Sequence, residues 1–350
     1  MSTAIPLSHF TAHLTRSDIS SFRQLLYVYQ WNARYLAALH ISIHDDLDPS
    51  TNPKFAGNNR NRVFQSKKKA AEFHALLNIL RDNTDTDSHD GSYKDRGVIA
   101  WHIQLLQDAV RQLSNQPNLR GDKPCSPSLF NSDVKELLQS LSNIFLRGLI
   151  TAFKNYTAVY ISHPSNSHHG PLYRHSLRLG QSRASFSTEA SILLSRRRKN
   201  HPLHPHEIPG TLLTVFSPMD GKKCSPPARV DFSRECGCLI ALAQEYFVLK
   251  PSATDCMLSI VSVRPYARVA IVSASVRKEY LEALEAGGCP PKLEICVSRL
   301  YDMKEKEDRV RFAGVYFDMM EVLVNRRVTM EVVVRKAVAK AKVPAGNSGV

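Results

Sequence analysis

Cysteine and histidine side chains are the residues of this sequence whose types and spacing could bind a metal ion. Cys236 and Cys238 are separated by one residue, and His201, His204 and His206 alternate with other residues in a proline-rich segment. Thiolates and imidazoles are the ligands that zinc prefers in proteins. Buried cysteines are also common in protein cores, and a proline-rich exposed loop is a common setting for such histidines. The pattern alone therefore leaves metal binding open.

Residues 151–227 form the most basic stretch of the chain. They hold ten Lys and Arg against three Asp and Glu, which is half of the net charge of +14, and seven of the fourteen histidines. A positive patch of this kind favours polyanions such as RNA, DNA or phosphorylated ligands, and a solvated basic loop is the alternative. The residues that we expect to contact nucleic acid here are Arg174, Arg196, Arg197, Arg198 and Lys199.

Residues 1–150 carry four helical patterns and no polar constellation typical of catalysis. Apolar residues recur with the helical period in each of them. We therefore expect a helical N-terminal domain that serves packing or interaction with a protein partner. The predicted helices cover residues 17–43, 63–80, 98–116 and a segment that begins at Ser132 or Asp133.

Residues 151–335 change to alternating and β-branched patterns, which predict an α/β domain. A basic flexible tail is expected over 336–350. The predicted strands cover residues 156–161, 172–179, 211–216, 257–263, 293–297 and 328–334, and the predicted helices cover 188–198, 236–248, 276–286 and 309–324.

The overall composition indicates an intracellular protein, cytoplasmic or nuclear. No apolar run reaches the roughly 18 residues that span a bilayer, so neither a membrane anchor nor a signal peptide is predicted. Seven cysteines are an odd number for a disulfide framework, which favours a reducing compartment.

The sequence lacks a phosphate-binding loop, a dinucleotide-binding glycine turn and a nucleophile elbow, so kinases, dinucleotide enzymes and serine hydrolases are not expected.

Glu189 opens the helix predicted over residues 188–198, and Pro218 follows the strand that ends at Phe216, 29 residues after Glu189. This spacing and the order of the elements from 156 to 297 resemble the core of the cytidine-deaminase superfamily, including the AID/APOBEC polynucleotide deaminases. The resemblance implies a deaminase-like three-layer α/β domain with a central mixed sheet.

The same resemblance implies zinc as the cofactor. In this family a histidine and two cysteines hold zinc, which activates a water molecule, and a glutamate that is not a ligand moves the proton. Glu189 takes the place of that glutamate, whereas Ser187 stands where the family has its histidine. Neither family cysteine follows Pro218, so the ligands implied are a set drawn from Cys224, Cys236, Cys238 and the histidines of 201–206.

Two segments compete for the fourth strand of that family. Residues 258–266 place Tyr266 near the strand end as an aromatic contact for a base, and residues 293–301 offer a rival register.

Two hypotheses of function follow. The first is a deaminase-like protein that binds nucleic acid and, with an intact site, deaminates cytosine or adenine. The second is a non-catalytic, basic nucleic-acid-binding or scaffold protein.

Overall fold

The computed structural model of the 350-residue chain describes eleven segments, and the predictions that fall elsewhere, Glu189 and Cys224 among them, lie outside these residues. The described segments are residues 33–44, 67–82, 98–115, 127–149, 156–162, 173–179, 182–188, 190–196, 211–216, 232–264 and 266–341.

Helices and strands alternate irregularly along the described segments. The α-helices are α1 (Ala33–Ala38), α2 (Lys67–Asp82), α3 (Val98–Asn115), α4 (Pro127–Ile144), α5 (Ser233–Leu249), α6 (Lys278–Glu285) and α7 (Lys306–Ala341). A π-helical turn (Phe145–Leu149) continues α4. The strands are β1 (Ile41–His44), β2 (Tyr156–Ser162), β3 (Tyr173–Leu179), β4 (Ser182–Thr188), β5 (Ala190–Arg196), β6 (Thr211–Phe216), β7 (Asp255–Arg264), β8 (Arg268–Arg277), β9 (Leu293–Val297) and β10 (Tyr301–Asp302).

An eight-stranded mixed sheet forms the centre of the described structure. Its order is β1-β9-β8-β7-β6-β5-β2, and β10 pairs with β8 beside this path. The pairs β1–β9 and β6–β7 are parallel, and the other pairs are antiparallel. Parallel neighbours need a crossover connection, and α5 provides it between β6 and β7. The strands β3 and β4 form a separate antiparallel hairpin.

Helices cover both faces of this sheet. Side chains of α2, α3, α4 and α7 share one hydrophobic core with alternate residues of β7 and β8. Side chains of α1, α5 and α6 share a second core with the other face of the same strands. Strands buried on both faces have continuous apolar sequences, which explains why β7 and β8 lack polar alternation. The described helices of both halves of the chain thus pack on one sheet.

None of the described helices combines the length and the apolar composition that a membrane crossing requires.

Three predictions of secondary structure are wrong. Residues 190–196 form strand β5 and not a helix, because they pair on both sides with β2 and β6. Residues 328–334 belong to the helix α7 and not to a strand. Valine and threonine lower helix propensity only slightly, so this β-branched run does not end the helix. The first predicted helix ends early, because Ile41–His44 joins the sheet beside β9.

Candidate nucleic-acid interface

The hairpin of β3 and β4 carries the predicted contact residue Arg174 on a small sheet of its own. Leu177 is fully buried in the core that α5 lines, whereas the next residue, Arg178, is exposed. Successive residues of a strand occupy opposite faces. At these two positions, Leu177 faces the core that α5 lines and Arg178 faces the solvent.

The register of this hairpin pairs arginine and serine positions of its two strands. In the antiparallel register, Arg178 lies directly opposite Arg183, Ser176 opposite Ser185, and Arg174 opposite Ser187. Neither strand contains Asp or Glu. We call positions 174, 178 and 183 the arginine face.

A glutamine of α5 holds the hairpin in place. The backbone N–H of Arg178 donates a hydrogen bond of 2.7 Å to Oε1 of Gln244, and Nε2 of Gln244 donates one of 2.7 Å to the carbonyl of Arg178. Only 5% of Gln244 is exposed. The two bonds reproduce the pairing that a neighbouring strand would give, so the backbone beneath the arginine face is fixed to the fold.

The two other predicted nucleic-acid contacts that the structure describes, Arg196 and Tyr266, lie on other elements. Arg196 is the last residue of β5, which belongs to the eight-stranded sheet and not to the hairpin. Tyr266 lies in the turn between β7 and β8 with a positive φ of 64° and a partly exposed side chain. Residues 197–199 lie outside the described segments. Of the three predicted contacts that the structure describes, Arg174 is the one on a strand of the hairpin.

The two described cysteines of the predicted zinc set lie in the hydrophobic core. Cys236 and Cys238 are fully buried on α5 among apolar side chains. Their spacing separates them by about 200° around the helix axis. Burial and, secondarily, the nearby Glu235 and Glu245 raise the pKa of Cys238, which disfavours the thiolate that zinc binds. These two thiols are therefore poorly arranged to share one zinc ion.

Within the described segments, no three His, Cys, Asp or Glu side chains come together as a metal site requires. Cys224, Glu189 and the histidines of 201–206 lie outside those segments, so zinc binding stays a prediction. The helix predicted over residues 188–198 is not found, since residues 190–196 form the strand β5.

A buried charged cluster that the sequence analysis missed joins the start of α5 to the end of β7. Glu235 is fully buried in the first turn of α5, where the helix dipole favours a carboxylate. Its Oε1 accepts a hydrogen bond of 2.5 Å from Ser262 Oγ and forms an ion pair with Nη2 of Arg264. Nε of Arg264 also donates to Ser262 Oγ at 2.9 Å, and its guanidinium carbon lies 4.8 Å from the centre of the Phe232 ring.

This cluster fixes the edge of the sheet where the two parallel strands β6 and β7 end. Phe216, the last residue of β6, is the register partner of Ser262. Ligands of open α/β sheets commonly bind beyond the carboxyl ends of parallel strands. The sequence signal for the cluster was Arg264 at the end of a mostly apolar strand, because a buried arginine requires a carboxylate nearby.

Neither a protein-family model nor a curated protein sequence matches this chain.

Proposed function

We propose that this protein binds nucleic acid through the arginine face of the β3–β4 hairpin. The observation that carries the proposal is the alternation at Leu177 and Arg178: the first is fully buried and the second is exposed. We expect positions 174 and 183 on the same face as Arg178, because position 174 is an even number of residues from 178 on β3 and position 183 is the register partner of 178. Phosphate groups are the ligands that such arginine positions bind most readily, through bidentate hydrogen bonds.

The direct pairing of Arg178 with Arg183 also supports an anionic ligand. Like charges at opposite positions of an antiparallel pair destabilise it, by up to about 1 kcal/mol. A bound phosphate between these positions would offset that repulsion. Position 174 lies four residues from position 178, roughly 13 Å along the strand. The face is therefore long enough to contact more than one phosphate of a chain.

The net charge of +14 favours the same partner, because it raises the local concentration of polyanions and the rate of association. In this proposal the central sheet and its helices act as a scaffold that displays the hairpin.

Deamination of a bound base is a second proposal, and it comes from the resemblance to the deaminase superfamily. A mixed sheet with helices on both faces is consistent with a deaminase-like layout. The strand at residues 190–196 and the buried thiols of α5 do not favour the predicted active site. The zinc content of the purified protein tests this second proposal independently of nucleic-acid binding.

The experiment for nucleic-acid binding is a titration of fluorescently labelled single-stranded RNA and DNA at several salt concentrations, read by anisotropy. The test variant replaces the three arginines of the face, Arg174, Arg178 and Arg183, by alanine. The matched control replaces three exposed arginines of α2, α3 and α7 on the other side of the sheet by alanine, namely Arg81, Arg111 and Arg311. Both variants lose three charges.

We expect the test variant to lose at least about tenfold in affinity. The slope of log K against the logarithm of the salt concentration should become shallower by roughly 2, since each of the three lost phosphate contacts to a single strand contributes about 0.7. The control should keep most of the affinity and of the slope. An equal loss in both variants would show that binding depends on net charge and not on the hairpin. Absence of binding by the unmodified protein would end the proposal.

A further inference from the structure

Cys289 differs from the other described cysteines in its exposure. Cys236, Cys238, Cys256 and Cys296 are buried free thiols, whereas Cys289 is a free thiol exposed to solvent. Its Sγ lies 3.4 Å from Nε2 and 3.7 Å from Nδ1 of His40, a residue 249 positions away in the sequence. A nucleophile and a base within contact distance are the minimal arrangement for activating a thiol.

Two capped helix ends hold the pair together. His40 follows α1 in the left-handed conformation with a φ of 51°, and its N–H donates to the carbonyl of Ala37 at 3.1 Å. Gly287 follows α6 with a φ of 68°, which a glycine adopts without strain. The N–H groups of Gly287 and Gly288 bond back to Leu284 and Ala283 at 3.1 and 2.8 Å, a Schellman motif that fixes the chain just before Cys289.

The sheet fixes the same two segments from the other side. After His40 the chain enters β1, and after Cys289 it enters β9, which pairs with β1 in parallel. The N–H of Leu293 donates to the carbonyl of His40 at 3.0 Å. Tyr280, which is buried, donates its hydroxyl to the carbonyl of Leu39 at 2.9 Å. The backbone positions that carry the imidazole and the thiol are thus held next to each other by the fold.

We propose that Cys289 is a site of reversible S-thiolation by low-molecular-weight disulfides, with His40 as the base that accepts the thiol proton. The sulfur of Cys289 attacks one sulfur of the disulfide as its proton passes to a ring nitrogen of His40. A new S–S bond joins Cys289 to one half of the disulfide. The original S–S bond breaks, and its other half leaves as a thiolate that recovers a proton from the His40 imidazolium or from water.

The step is balanced in atoms and electrons. The sulfur of Cys289 is oxidised, the departing half of the disulfide is reduced, and the disulfide itself is the oxidant. Excess small thiol reverses the exchange. The buried cysteines cannot take part in the native protein, because their sulfurs are not accessible to a disulfide. The reactive position lies where β1 joins the sheet, so an added group would crowd the turn between α1 and β1.

The experiment uses oxidised glutathione as the probe and follows each cysteine-containing peptide by mass spectrometry over time. The first variant is His40→Asn, since asparagine tolerates the left-handed backbone and lacks a base. The second is His40→Gly, which leaves room for added imidazole. Circular dichroism establishes that both variants are folded, and Cys289→Ser is the control for assignment of the adduct.

We expect Cys289 to be modified before the buried cysteines, and both His40 variants to react at least about tenfold more slowly, as loss of a general base predicts. Free imidazole should restore the rate of His40→Gly but not that of His40→Asn, a result that a merely structural role of His40 would not give. An unchanged rate in both variants would overturn the role of His40. Absence of an adduct on Cys289 in the unmodified protein would overturn the site itself.

Discussion

Gln244 and Arg178 exchange two hydrogen bonds of 2.7 Å although they are 66 residues apart, and this exchange attaches the β3–β4 hairpin to α5. Each bond involves the backbone of Arg178 and the amide of Gln244, so the orientation of that amide is fixed. Arg178, whose side chain is exposed, thus lies where the hairpin is attached to the fold.

We expect Gln244→Glu to weaken both the fold and the binding of nucleic acid. The carboxylate cannot donate to the carbonyl of Arg178, which leaves that group without its partner at a cost of about 1–3 kcal/mol. Urea unfolding and hydrogen exchange over residues 173–188 measure the effect. The matched control is Gln104→Glu at an exposed position of α3, which should change stability by less than about 0.5 kcal/mol. Equal effects at the two positions would contradict the prediction.

Glu235 and Arg264 form a buried ion pair whose two members depend on each other. Removing either side chain alone, in Glu235→Leu or Arg264→Met, should cost about 3–5 kcal/mol, because the remaining charge stays buried. The double variant should recover most of this loss, since two apolar side chains of similar size can replace a buried pair. A double-mutant cycle of unfolding free energies measures the coupling.

The control for this cycle is the exposed pair of Arg277 and Glu279, whose Nη1 and Oε1 are 3.2 Å apart. Its coupling should be below about 1 kcal/mol. Losses that simply add in the Glu235 and Arg264 double variant would show that the two residues act independently.

The sequence predicted the regular strands of the central sheet better than the long-range contacts. Residues 211–216 and 293–297 were predicted as strands with the bounds that the structure gives them. Their short β-branched runs end at prolines, glycines or polar residues, which is a strong local signal. The third helix was likewise predicted to within one residue of Val98–Asn115, because its apolar stripe is regular.

The errors arise where the local sequence signal is shared by helices and strands, is weak, or is absent. Residues 190–196 contain a continuous apolar run followed by arginines, which resembles a helix end, yet pairing with two strands decides the structure. The strand β8 was missed because alanines and serines interrupt its valines and isoleucine and weaken the strand pattern. The Glu235 cluster joins positions 27 and 29 residues apart, a contact that no local pattern reports.

Glu136 on α4 should make the free energy of unfolding vary with pH in the acidic range. Burial, and then the carboxylates of Asp133 and Asp108, raise its pKa above the ordinary value of about 4.3. A raised carboxyl pKa means that the folded state binds the proton more tightly than the unfolded chain does. The stability that this proton contributes is present below the ordinary pKa and is lost as the pH rises through the raised one.

Glu136→Gln removes this charge, and we expect the variant to be more stable than the unmodified protein at pH 7, by less than about 1 kcal/mol since the side chain is partly solvated. The difference should vanish near pH 3, where both side chains are neutral. Thermal unfolding at a series of pH values measures it. A variant that is less stable at neutral pH would contradict the sign of the prediction.

Arg309 fixes the start of α7 to the end of α2. Its Nε donates to the carbonyl of Leu80 at 2.9 Å, and its Nη1 donates to the carbonyls of Met303 and Lys304 at 2.9 and 2.7 Å. Only 3% of the residue is exposed. Arg309→Met would leave these carbonyls without their donor, and we expect a loss of about 2–4 kcal/mol in unfolding free energy.

The matched control for Arg309 is Arg311→Met, two residues further along α7, where the arginine is exposed. This change should alter stability by no more than about 0.5 kcal/mol. Chemical denaturation of the two variants side by side tests the assignment, and a larger loss at position 311 would contradict it.

Zinc content tests the deaminase-like proposal apart from nucleic-acid binding. Chelator-washed protein is assayed for zinc by mass spectrometry, together with Cys236→Ala, Cys238→Ala and Cys224→Ala. Since the thiols of Cys236 and Cys238 lie in the hydrophobic core and on different sides of α5, we expect their replacement to leave the ratio of zinc to protein unchanged. Each should instead reduce stability by about 1 kcal/mol, as loss of a buried group does.

The outcome that would contradict this prediction is one zinc per chain that is lost in either α5 variant. Such a result would require α5 to present a thiolate outside the apolar core, because a neutral buried thiol does not bind zinc. A different result would be one zinc per chain that is lost in Cys224→Ala and retained in the two α5 variants. It would support the deaminase proposal with a ligand set that includes Cys224 and excludes Cys236 and Cys238. In that case Glu189→Gln should abolish deamination of single-stranded substrates while zinc is retained, since the resemblance assigns that glutamate to proton transfer and not to the metal.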